Sequence, residues 1–224
     1  MLRFARFALA ATFLVAAPAS AQEDHDDDHA HAAHEAHVEL PDGWQIRLDR
    51  AQDHAADVSF RTMEPGWHVT TGPATILWSP EYEASGAYRA EAKIHLMQPS
   101  AHPEGFGIIV GGSDLDAPGQ DYLYFLIRQD GRYIVKHRAG DETHTIVPWT
   151  ESAAVMPGSE EGSVANVLAV EVTAEEMAFL INGQEVQRVP RPEYARLDGV
   201  VGLRINHRLD VHVESLSVEP LASE

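Results

Sequence analysis

Beyond residue 38 the chain predicts an all-β fold, an antiparallel sandwich of two sheets, on three observations. Short runs rich in Val, Ile, Tyr and Phe recur at regular spacing, separated by Gly, Pro, Asp and Asn. No internal stretch keeps helical periodicity for three turns. Two dipeptides, Asp130-Gly131 and Asn182-Gly183, each sit between apolar runs, and both suit tight hairpins because they tolerate positive φ. Many short strands with frequent turn signals pack as a sandwich. At 224 residues and 44% hydrophobic content, the chain can bury such a core as one large domain.

Residues 1–21 come first. Arg3 and Arg6 precede an uncharged, mostly apolar run from Phe7 to Ala17, and Ala19-Ser20-Ala21 supplies an A-x-A cleavage site. This is the pattern of a secretory signal peptide, and its apolar run falls well short of the roughly 20 residues that cross a bilayer. A periplasmic or secreted protein is expected, not a membrane-spanning one. Residues 22–37 form a His/Asp-rich tail with too few apolar side chains to offset ordering entropy, so it is expected to be disordered when free. Neutral imidazoles ligate zinc, copper or nickel, which makes His25, His29, His31, His34 and His37 candidate ligands for a divalent metal. His25 and His29 are four apart, and His31, His34 and His37 three apart, spacings that share one face if metal nucleates a helix. A solvated spacer of low complexity is the alternative.

The β domain is placed at residues 38–224. WQIRL near residue 44 opens it, followed by AYRAEAKIHLM, in which Tyr88, Ala90, Ala92, Ile94 and Leu96 point one way and Arg89, Glu91, Lys93 and His95 the other. GFGIIVGG at 105–112 is the next strand. YLYFLIR and RYIVKH make a hairpin about Asp130-Gly131. VLAVEV at 167–172 precedes a second hairpin, MAFLI and QEVQRV about Asn182-Gly183. TAEEM at 173–177 starts like a helix, but the turn follows too soon, so a turn is expected there as well. GVVGLRI at 199–205 and DVHVESLSV at 210–218 close the domain. Between Val213 and Leu216 the inward parity slips by one, as a β-bulge requires.

Charge and composition exclude several classes. Asp and Glu number 35 against 16 Lys and Arg, a formal charge of −19 with no basic block. Such a chain repels a phosphate backbone, which argues against nucleic acid as a partner. With no Cys, disulfides, thiolate metal sites, iron–sulfur clusters, a cysteine nucleophile and a lipoprotein anchor are ruled out.

The ordered motifs GAYRAEAKI, GFGIIVGG, DYLYFLIRQDGRYIVKHRAG, NVLAVEV with FLINGQEV, and GVVGLRINHRLDVHVESLSV resemble the concanavalin A-like lectin and glucanase jelly roll. The laminin-G-like and 3-keto-disaccharide hydrolase-like branches are the most similar, over about residues 40–220. The resemblance implies two stacked antiparallel sheets, with saccharides bound on the concave sheet or at loops along its rim. Laminarinase-type relatives carry a Glu-x-Asp-x-x-Glu strand as nucleophile and general acid, a string absent here. The Asn-Ser-Gly segment and Trp-Asn pair typical of the 3-keto-disaccharide branch are also missing. Glu81 with Glu83 and Glu175 with Glu176 lie in apparent turns and read as solvated surface, so no catalytic residue is nominated.

A two-residue turn at Asp130-Gly131 pairs Arg128 with Tyr133, Leu126 with Val135 and Tyr124 with His137 on one face, leaving Leu123, Phe125, Ile127 and Ile134 as core. Aromatic rings cover apolar C–H patches of a sugar while fixed donors match its hydroxyls. Tyr124, Arg128 and His137 are therefore candidate ligand contacts, and Arg89, Glu91 and His95 extend the surface if their strand neighbours the hairpin. DLDAPGQD offers Asp114, Asp116 and Asp121 to calcium but lacks the final Glu of an EF-hand loop, and a polar connection is the alternative. Trp44, Trp67, Trp78 and Trp149 fit either core or rim.

The leading expectation is an exported, non-catalytic lectin-like sandwich that binds a carbohydrate or glycoconjugate and carries a metal-binding tail. The alternatives are a glycoside hydrolase of the 3-keto-disaccharide hydrolase-like type, and a periplasmic zinc, copper or nickel buffer or chaperone.

Overall fold

The computed structural model describes residues 39–221, so the leader and the five tail histidines lie outside the described residues. Fourteen strands are present among these: β1 (Gln45–Leu48), β2 (Val58–Thr62), β3 (Trp67–Thr71), β4 (Thr75–Ala84), β5 (Tyr88–Leu96), β6 (Gly105–Ser113), β7 (Asp121–Arg128), β8 (Arg132–Ala139), β9 (Glu142–Glu151), β10 (Val164–Val172), β11 (Glu176–Ile181), β12 (Gln184–Pro190), β13 (Gly199–Ile205) and β14 (Asp210–Pro220). They form two antiparallel seven-stranded sheets. The first runs β1-β4-β13-β6-β7-β8-β9 and the second β12-β11-β10-β5-β14-β3-β2. No helix among the described residues is long and apolar enough to cross a membrane.

The alternation expected in β5 is present: Tyr88, Ala90, Ala92, Ile94 and Leu96 are buried between the sheets, and the residues between them are half-buried on the outer face. Leu123, Phe125 and Ile127 of β7 meet them from the first sheet, with Phe125 edge-on to Phe179 at 5.2 Å. Trp44 and Trp67 close one flank of this core, Trp44 lying 4.9 Å from Phe60 and 5.0 Å from Trp67. Four strands, β2, β3, β4 and β9, carry little sequence signal. β9 is an edge strand with a mostly exposed, polar sequence and a proline, Pro148, which edges tolerate. Glu81 and Glu83 lie within β4 rather than in a turn, although both are exposed; Glu175 is in a turn and Glu176 opens β11.

The two hairpins differ. At Asn182-Gly183, Ile181 faces Gln184 and both turn residues have positive φ, 50° and 79°, the expected two-residue type I′ form. At Asp130-Gly131 the expectation is corrected. Arg128 faces Arg132, three residues form the loop, and only Gly131 adopts positive φ. Every β8 side chain is thereby moved to the opposite face: Leu123 faces His137, Tyr124 faces Lys136 and Ile127 faces Tyr133. The two-residue register would have turned Arg132 and Lys136 toward the core beside Phe125. The observed one turns Tyr133 and Val135 inward instead, avoiding the burial of two charges.

The bulge in the last strand occurs as expected, between Val213 and Ser215, so Val213 and Leu216 both face the core. The 173–176 segment is a turn in which Thr173 Oγ1 accepts from the Glu176 N–H at 3.1 Å. Loops 49–57, 72–74, 97–104 and 206–209 gather at one end of the sandwich. Pro220, the outer end of the last strand, lies opposite Tyr88 at the other end.

Candidate functional site

The outer face of the first sheet carries a second apolar cluster that includes Ile76, Trp78, Ile109, Tyr122, Tyr124 and Leu126. Beneath it lies Arg204 of β13, which donates to Asp49 Oδ1 at 2.8 Å and to the Tyr122 hydroxyl at 3.1 Å, with its guanidinium 5.1 Å over the Tyr124 ring. Burial alone would raise the Asp49 carboxyl, but the hydrogen bond and charge of Arg204 outweigh it and hold the group below the ordinary carboxylate range. Burial pushes the Tyr124 phenol up to about 12. Nearby, Arg128 stacks 4.4 Å over half-buried Trp149.

The six candidate ligand residues lie at three separate places. Tyr124 and Arg128 share the outer face of the first sheet, as expected. His137 does not: with the corrected register it turns to the core side, is 2% exposed, and holds Asp121 Oδ1 at 3.0 Å. Its ring stacks on His144 at 5.9 Å and meets the exposed Tyr194 at 5.4 Å. Arg89, Glu91 and His95 belong to β5, a central strand of the second sheet, so they cannot extend the β7–β8 surface. They are knit to their own neighbours, Arg89 to Glu171 at 2.6 Å and His95 to Glu214 at 2.7 Å. In the DLDAPGQD loop, the carbonyls of Leu115 and Ala117 accept from Arg47 Nη1 at 3.1 and 2.6 Å, while Asp121 Oδ1 lies 3.0 Å from His137 Nε2.

One open concavity is at the end where the loops converge. It is a cleft of about 610 Å³ whose charged lining includes Arg50, Arg208, Asp53, Asp57 and Glu104. His54, His102 and His207 also face it. Local geometry explains its shape. The Gly72 N–H donates to the Asp57 carbonyl at 2.8 Å, and a side chain at Gly72 would come within 2.9 Å of Asp57 Cβ. Arg208 has a left-handed φ of 54°, and its N–H donates to the Gly72 carbonyl at 3.2 Å. Gln129 at the β7–β8 tip clamps the far wall, accepting from the Ser100 N–H and donating to its carbonyl, both at 2.7 Å. Gly105, next in sequence to the cleft residue Glu104, lies between Trp149 and Asn206: a Cβ there would sit 3.3 Å from the indole and 3.4 Å from the Asn206 amide, so the Trp149–Arg128 stack begins one residue beyond the cleft lining.

None of the five charged residues of the cleft enters an ion pair among the described residues, whereas most other arginines do. Asp53 Oδ2 is buried there without a hydrogen-bond partner. An arrangement of unpaired donors and acceptors beside an aromatic ring can bind a polyhydroxylated ligand. The five charged residues come from three loops separated by up to 158 positions (Arg50 to Arg208), and no periodicity marks loops, so only the topology brings them together.

No family model matches the chain, and no curated protein matches it in sequence. Similarity appears among solved structures. The carbohydrate-binding module CBM66 of Bacillus subtilis is 11% identical, with a TM-score of 0.58 over 81% of this chain and 99% of that one. A Bacillus subtilis protein of unknown function with a galectin-like fold is 9% identical, TM-score 0.58, over 79% and 89%. The potassium-bound carbohydrate recognition domain of Emp46p is 10% identical, TM-score 0.55, over 79% and 88%. At these identities the likeness establishes the fold alone, a jelly-roll sandwich of two antiparallel sheets, which agrees with the architecture the sequence motifs imply.

Proposed function

We propose that the chain is an exported, non-catalytic lectin-like module that binds a carbohydrate or glycoconjugate in the cleft at the loop end of the sandwich. The observation that carries this reading is the set of unpaired polar groups there: Arg50 and Arg208 as donors and Asp53 Oδ2 as a buried acceptor, with Trp149 next to the lining across Gly105. Buried polar groups favour a ligand that completes their hydrogen bonds, and sugar hydroxyls do so while the ring's C–H face packs on an indole. Two proteins of similar fold, the carbohydrate-binding module CBM66 and the carbohydrate recognition domain of Emp46p, support the reading by analogy. Export rests on the leader pattern, and the tail histidines are proposed to bind zinc, copper or nickel.

A glycan array followed by calorimetry tests the cleft. Arg50→Ala and Arg208→Ala should each weaken the best glycan about tenfold or more, since each removes a charged hydrogen-bond donor worth about 1.5–3 kcal/mol. Arg128→Ala tests whether the site reaches the sheet face. Unchanged affinity in both cleft variants would remove the site. Release of shorter sugars from the bound glycan would replace the lectin by the hydrolase.

A further inference from the structure

All eight histidines of the described residues lie in groups. His54, His102 and His207 line the cleft, and His137 stacks on His144. The remaining three form an array that neither the cleft nor the tail uses. On the outer face of the second sheet, His212 of β14 is paired in register with His68 of β3 on one side and with His95 of β5 on the other. Three imidazoles thus stand in a row across adjacent strands. The rings of His95 and His212 are 5.7 Å apart with their planes at 56°. The bulge after Val213 turns Glu214 onto the same face, where Oε2 lies 2.7 Å from His95 Nε2. On the other side Asp210 lies 2.9 Å from His68 Nε2. Nδ1 of His68 and of His212 is buried without a hydrogen-bond partner.

We propose that His95, His212 and Glu214 bind a borderline transition-metal dication such as zinc, copper or nickel, with His68 beside them. Zinc holds imidazole nitrogens at about 2.0–2.1 Å in a tetrahedron, which brings two ligating rings to roughly 5 Å between centroids. The 5.7 Å spacing is close to that value. The metal takes the place of the proton shared by His95 and Glu214, and two imidazoles with one carboxylate are donors such ions accept. As the side chains stand, no three such groups among the described residues already close on one point, so binding turns His212 toward the His95–Glu214 pair and parts that 2.7 Å contact to admit the ion. His212 and Glu214 lie on a partly solvated face that leaves room for the movement. Asp210 orients His68 as carboxylates orient metal-ligating imidazoles. Lys93 opposes the metal, because its ammonium holds both Glu214 oxygens, at 2.9 and 2.8 Å.

The test is a copper titration of the ¹⁵N-labelled full chain, read by paramagnetic broadening in the amide spectrum, which separates this site from the tail. The amides of Ile94, His95, His212 and Val213 should fade within the first few equivalents. In His212→Gln and Glu214→Gln the same loss should need about tenfold more copper, while unshifted core amides report an intact fold. Lys93→Met should lower the copper required. Broadening confined to residues 25–37, or identical fading in His212→Gln, would overturn the proposal.

Discussion

Asp49 and Arg204 show how a single pair can govern a sheet face. Arg204 is almost fully buried, and its charge is matched only by the two-oxygen contact to Asp49, so removing one partner leaves the other uncompensated. Asp49→Asn should cost about 3 kcal/mol in urea denaturation, and the double variant Asp49→Asn/Arg204→Met should cost clearly less than the sum of its parts. The pH dependence has a definite sign. Asp49 has a folded pKa below its ordinary 3.8, so the folded chain binds fewer protons than the unfolded one near that value. Its stabilisation is complete above about pH 4 and is lost as pH falls through the lowered value; Asp49→Asn should therefore flatten the acid limb of the stability curve. At Tyr124, ultraviolet titration should show a phenol ionising only near pH 12 that disappears in Tyr124→Phe.

The two β-hairpins carry the same kind of turn signal and respond to it differently. Asn182 both adopts the left-handed conformation and bonds outward: its amide donates to the Ala154 carbonyl at 2.8 Å and to Asn166 Oδ1 at 2.9 Å, and its oxygen accepts from the Val167 N–H at 2.8 Å. Asn182→Ala should cost about 2–3 kcal/mol, because it strands those partners. Asp130→Ala, with an ordinary φ and one exposed bond to Arg128, should cost less than about 1 kcal/mol; denaturant midpoints compare the two. Strands with strict alternation or long β-branched runs, such as β5, β13 and β14, were legible in the sequence because burial imposes the pattern. The register of β7 with β8 was not, since Asp-Gly fits both a two- and a three-residue loop and the choice depends on where Lys136 ends up. The same one-residue shift moves His137 from beside Tyr124 to beside Leu123, because face assignments inherit every error of register.

Across the whole molecule the governing feature is its charge, −19 by formal count. Self-repulsion on this scale weakens the compact state, so added salt should raise the melting temperature by a few degrees, as measured by calorimetry at low and near-physiological ionic strength. The fold was readable from the sequence because strand patterns are local. The cleft was not, because Arg50, Asp53, His102 and Arg208 meet only through loops that obey no period, and the histidine row stayed hidden because β3 gives almost no signal around His68. The end of β14 at Pro220 lies opposite the cleft. A molecule tethered to a particle or sensor chip at Pro220 would hold its mouth toward the medium.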